Sequence, residues 1–242
     1  MTSTWDSLDV EANEVASTTA QQAAGICTLL KQGISTLADG FAETEVKATN
    51  SAPAQMGLLS QNLNSLKCSV DLAMRGYYTQ SAGLLRGVYE NWIAFHYLAQ
   101  FPKEANLWLC ADQGKRPPSH SHMLNALGPN FPEHKADASR CYSMLCSFAH
   151  THALNVMPHL GAHKGEPCAF FGATYKANLF RVSAYLICTF TNLMLREISG
   201  MIATDAGWQE RCKTAIEGLM QFLEKENDEF NKSIGTEKAN KN

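Results

Sequence analysis

The sequence predicts an all-α fold: a single-domain bundle of six or seven main helices. Three observations carry this. Apolar residues recur at three- and four-residue steps through most of the 242 residues, the period of a helix with one buried face. No run alternates β-branched and polar residues between hairpin turns, so no strand is expected. Proline and glycine gather in a few short stretches that read as breaks. A chain of this length buries roughly 70% of its unfolded surface and holds a core without disulfides or metals.

The elements follow in order. From residue 4 to about 47, Ile26, Leu29, Leu30, Gly33, Leu37 and Phe41 lie at helical spacing; the first 50 residues read as a peripheral N-terminal helix. ATNSAP at 48–53 is a break, with Ser51 placed to cap and Pro53 in the first turn of the next helix. That helix runs from about Ala54 to Gly76, with Met56, Leu59, Leu63, Leu66, Val70 and Ala73 as its stripe. A bend is expected at Gly76-Tyr77-Tyr78. A third helix spans about Gln80 to Gln100 and stops before Phe101-Pro102, because the residue before proline leaves helical geometry.

A short helix near Lys103–Ala111 follows, then a loop at 111–121, a helical stretch at His122–Leu127, and a loop at GPNFPEH. The fifth main helix covers about Lys135 to Val156. MPHLGAHKGEPCAFFGA, at 157–173, reads as a long loop or lid. The most apolar helix spans about Thr174 to Ala203. The last, with Asp205 as its cap, runs from about Ala206 to Ser233, with Trp208, Cys212, Ile216, Leu219, Met220 and Leu223 inward. The single domain thus covers 1–233, and 234–242 reads as a disordered polar tail.

Net charge is -3 and the pI about 6.2. There is no basic excess of the kind that holds phosphate backbones, which disfavours a dedicated nucleic-acid binder. The start, MTSTWDSLDVEANE, has neither a basic region nor an apolar core. Eight cysteines are scattered with no C-x-x-C, as expected for reduced thiols packed as small apolar groups. The most apolar run, between Arg181 and Arg196, has 14 uncharged residues, short of a bilayer crossing. The expectation is a cytoplasmic protein that does not enter a membrane.

Chemistry could gather in three places. Arg86 and Glu90 are four residues apart and share a helix face among Leu84, Leu85, Val88, Tyr89, Trp92, Ile93, Phe95 and Tyr97. Either they are a partly exposed pair with stems packed on the core, or a buried pair completed by a neighbouring helix. The fifth helix offers partners. Arg140, Ser143, Ser147 and His150 follow one line on it, and Ser147 with His150 could face Arg86 and Glu90. Histidine suits proton transfer there. The third place is a weak metal set: Cys146, His150, His152, His159, His163 and Cys168 supply zinc-type ligands without a zinc spacing signature. His120-x-His122 is weaker still. No P-loop, G-x-G-x-x-G or G-x-S-x-G is present, so no cofactor is expected.

AGLLRGVYENWIAFHYLAQFPKEA and YSMLCSFAHTHA resemble segments of an uncharacterised bacterial all-helical family related to HEPN proteins, over residues of about 60–155. The matching positions are Leu85-Arg86, Glu90, and Ser147 with His150. The resemblance implies an all-α bundle, often dimeric, with a role in toxin–antitoxin or phage-defence systems where active members cut RNA. The nuclease signature of that group is Arg, four to six residues, then His. Arg86 to His96 and Arg140 to His150 are both too long. Only Arg116 and His122 fit, across Pro117 and Pro118.

Two functions follow as expectations. The first is a helical bundle acting by binding, as a homodimer, with a protein or RNA as further partner. The second is a HEPN-like ribonuclease or nucleotide-binding protein using Arg86, Glu90, Ser147 and His150.

Overall fold

The computed structural model describes residues 4–42, 45–46, 49–110, 116–128, 142–149, 160–163, 166–169, 172–203 and 206–239. The fold is all-α. Among these residues there are nine α-helices rather than six or seven. The long ones are α1 (Thr4–Gln22), α2 (Ala24–Ala42), α3 (Ala52–Met74), α4 (Tyr78–Gln100), α8 (Ala177–Met201) and α9 (Ala206–Ala239). The short ones are α5 (Asn106–Leu109) and α6 (His120–Leu127), and α7 is described over 142–149, the rest of the expected helix at 135–156 lying outside the described residues. A 3₁₀ turn at Pro102–Ala105 leads into α5. No described helix is long and apolar enough to cross a membrane.

The N-terminal stretch bends once, at Ala23. The helical bonds carry across the bend: Ala23 N–H donates to Thr19 O and Cys27 N–H to Ala23 O, each at 2.9 Å. Ser51 precedes α3 as expected, yet its hydroxyl makes no cap bond to the backbone and donates instead to Gln55 Oε1 at 2.9 Å. Asp205, the expected cap of the last helix, lies outside the described residues. That helix continues to Ala239, through most of the stretch whose composition reads as a disordered tail.

The bend at Gly76 is a Schellman motif. Gly76 N–H donates to Ala73 O and Tyr77 N–H to Leu72 O, closing the open carbonyls of α3. Gly76 has φ +84, and a Cβ there would stand 2.6 Å from Thr174 O. Conformation and space both demand glycine.

Two small ladders depart from the expectation of no strands. Glu45–Val46 pairs antiparallel with Ile202–Ala203. Leu160–His163 pairs antiparallel with Glu166–Ala169, so the expected 157–173 loop contains a hairpin. Neither is long enough to alter the fold class.

The hairpin of α3 and α4 is the best-packed pair, and α8 lies at the centre, touching α2, α3, α4 and α9. Leu66, Ala73, Leu85, Val88, Leu98, Ala184, Ile187 and Leu195 have no measurable exposure. The hairpin also buries polar groups, each bonded. Ser69 and Ser81 exchange hydroxyl bonds with each other's carbonyls at 2.9 Å. Asn62 Nδ2 donates to Val88 O at 3.2 Å, and Gln55 Nε2 to Phe95 O at 3.2 Å. Such bonds fix register, because breaking one strands a desolvated group. Trp208, 1% exposed, joins α9 to α2 by donating Nε1–H to Thr36 O at 2.9 Å.

Candidate functional site

Helix α4 positions the site. Tyr89, Trp92 and Ile93 are buried, so the neighbouring line of Arg86 and Glu90 lies at the edge of the core. Arg86 Nε donates to Glu90 Oε1 at 3.0 Å, and the two side chains are 26% and 37% exposed. The pair is therefore partly exposed, and it also reaches a neighbouring helix. Arg86 Nη2 donates to the Tyr142 hydroxyl at 3.1 Å. That hydroxyl donates to Glu90 Oε1 at 3.2 Å. Arg86 Cζ lies 5.4 Å from the Tyr142 ring centroid.

Aromatic rings extend the cluster. His120, the first residue of α6, stacks on Tyr142 with centroids 3.9 Å apart and planes within 15°. Tyr89 sits 5.4 Å from His120 and 5.6 Å from Tyr142, and Phe190 of α8 meets Tyr89 edge-on at 6.3 Å. Four elements, α4, α6, α7 and α8, thus converge on these rings.

The electrostatics follow from burial. Burial, then the Glu90 carboxylate, push the Tyr142 phenol above its ordinary value. Burial pulls His120 down, with Glu90 opposing and Arg86 reinforcing. Burial also opposes the charge on Arg86, but its bonds to Glu90 and Tyr142 outweigh that and the guanidinium stays charged. Tyr142 therefore keeps its proton and donates it in a hydrogen bond to Glu90. A nucleophile or base needs the opposite: a depressed pKa or a free lone pair aimed at substrate.

A second polar contact ties α4 to α8. His96 Nε2 lies 2.7 Å from Glu197 Oε1, and Trp92 Nε1–H donates to the same oxygen at 3.3 Å.

The expected residues fare differently. Arg86 and Glu90 do meet the expected fifth helix, but through Tyr142. Ser147 is not brought to them: it stands about 140° around the helix from Tyr142, and its hydroxyl donates to Ser143 O at 3.1 Å. His150, Arg140, His152 and His159 lie outside the described residues. Cys146 lies one turn beyond Tyr142 on α7. The backbone of His163 and Cys168 belongs to the small hairpin. No three His, Cys, Asp or Glu side chains among the described residues could hold a metal ion. Arg116 and His122, the pair with nuclease spacing, are both exposed, and the His122 ring packs edge-on to Tyr97 at 6.2 Å, away from the Tyr142 cluster.

Sequence reasoning missed Tyr142 and underrated His120. A tyrosine with an apolar body and a polar tip on the helix opposite a charged pair was the available signal. Searches of protein-family models, of curated proteins and of solved structures find nothing that matches this chain.

Proposed function

We propose that this protein acts by binding, as a homodimer, through the outer face of the α3–α4 hairpin. One observation carries the reading: over 53–68 and 80–87 that face is exposed yet carries a single charge, with Asp71 and Arg75 beyond it. The exposed residues of α3 from Pro53 to Cys68 are Pro53, Gly57, Ser60, Gln61, Asn64, Lys67 and Cys68, and those of α4 up to Gly87 are Gln80, Leu84 and Gly87. Lys67 is the one charge among them, and it is paired with Asp71 at 2.5 Å. Leu84 is 38% exposed, at the edge of a cleft of about 450 Å³ that Gly57, Asn64 and Cys68 also line.

Gly57, Gly83 and Gly87 sharpen the point. A Cβ at any of them would meet no described residue within 4 Å. Packing among the described residues does not require them, while each costs about 1 kcal/mol of helix propensity relative to alanine. Close approach of another backbone is a use that would offset that cost. A protruding leucine beside a shallow cleft on one face is self-complementary about a two-fold axis.

The Arg86–Tyr142–Glu90 network weighs toward a structural tie and against the rival ribonuclease reading, because Arg86 Nε and Nη2 and the phenolic proton are each engaged within it. Light scattering tests the proposal. The wild-type chain is expected at twice 26.6 kDa and Leu84→Glu at the monomer mass. A monomeric wild type at every concentration, or an undiminished dimer in Leu84→Glu, would overturn it.

A further inference from the structure

We infer that α6 is a pH-sensitive cover on α4, loosened when His120 takes up a proton. The inference stands on how this ring is held. His120 lies flat on Tyr142 at 3.9 Å and beside Tyr89 at 5.4 Å. Its Nε2 is buried with no hydrogen-bond partner among the described residues. A neutral imidazole tolerates this by carrying its proton on Nδ1 and leaving Nε2 as a bare acceptor. The cation has no such choice. It must present an N–H at Nε2 where no described residue accepts it, and a desolvated, unanswered donor is costly.

The charged and titratable groups around the ring do not rescue the cation. From α4, Arg86, Tyr89 and Glu90 face it; from α7, Tyr142 does, with Cys146 one turn further along that helix. Glu90 attracts an imidazolium, but neither of its carboxylate oxygens is hydrogen-bonded to Nε2, and Oε1 accepts from Arg86 and Tyr142. Arg86 repels it. On α6 itself, His122 turns to Tyr97 and away from His120. Burial is the larger influence and lowers the His120 pKa.

The sign follows by linkage. Undocked, the ring titrates at the ordinary value of about 6.5; docked, it titrates lower. The docked state binds the proton less well, so docking is at full strength above the ordinary value. It weakens as pH falls below that, by up to tenfold per pH unit until the docked value is reached. The helix can respond as a unit. It has eight residues, too few to persist alone, and it is held by buried Met123, Leu124 and Leu127. Loosening would uncover Tyr89 and the Arg86–Tyr142–Glu90 network.

Amide hydrogen exchange on the full chain, corrected for intrinsic rates, tests this. Between a pH well above the ordinary histidine value and one unit below it, protection of Met123 to Leu127 should fall by up to tenfold while that of α3 holds. His120→Phe keeps the stacked ring and should abolish the fall. An NMR titration of His120 in the wild type, which depends on no variant, should place its inflection below the free value. A fall that survives in His120→Phe, flat protection in the wild type, or titration at or above the free value would overturn the inference.

Discussion

Replacing Tyr142 by phenylalanine removes one oxygen and leaves the rings in place. That oxygen makes two bonds, accepting from Arg86 Nη2 at 3.1 Å and donating to Glu90 Oε1 at 3.2 Å. Buried bonds to charged partners contribute about 1.5–3 kcal/mol each. Here the partners are 26% and 37% exposed, so water takes over much of what is lost, and exposed ion pairs are weak in any case. The direct Arg86–Glu90 bond at 3.0 Å also survives. The expected loss is therefore about 1 kcal/mol, a fall in Tm of about 3 °C for a chain of this size. Urea unfolding of wild type, Tyr142→Phe, Arg86→Met and the double variant closes a cycle, whose coupling should be about 0.5–1 kcal/mol. The tie between α4 and α7 is refuted if Arg86→Met costs the same with phenylalanine at 142 as with tyrosine. It is refuted also if Tyr142→Phe is silent.

Two further outcomes follow from glycines in opposite settings. A Cβ at Gly40 would come within 2.6 Å of Trp208 Cε2, and that indole is 1% exposed with its N–H bonded to Thr36 O; Gly40→Ala should cost about 3 kcal/mol by urea unfolding, and Trp208→Phe should lessen the penalty. Gly87→Ala, where a methyl meets no described residue within 4 Å, should stabilise the Leu84→Glu chain by about 0.5–1 kcal/mol while weakening self-association of the wild-type chain in sedimentation equilibrium.

The helices were legible because their period is local. Leu59, Leu66, Val70 and Ala73 point inward as the spacing of α3 requires, and Gly76 marks the bend because no other residue satisfies φ +84 beside the Thr174 backbone. The hairpin at 160–169 was not legible. LGAH and EPCA hold no β-branched residue and no alternation, so nothing local announces their pairing. Trp208 could be assigned to the core, but not to Thr36, which is 172 positions away. Long-range partners are set by the docking of whole helices, which a single sequence does not state.

The site shows the same division in one place. Spacing alone joins Arg86 to Glu90. The partner helix was also foreseeable, since a half-buried ion pair needs a third group to fill its remaining bonds. Which residue supplies it depends on the rotation of α7, and the polar line through Ser147 suggested the wrong side. A serine on a helix can satisfy its hydroxyl with the carbonyl four residues back, as Ser147 does with Ser143, and so has no need of a distant partner. A tyrosine cannot reach its own backbone that way. When its ring is packed, as Tyr142 is between Arg86 and His120, its hydroxyl must find a side chain on another element. In a half-buried contact between helices, the tyrosine is for this reason the stronger candidate to bridge a charged pair, although a simple polarity scale ranks the serine above it.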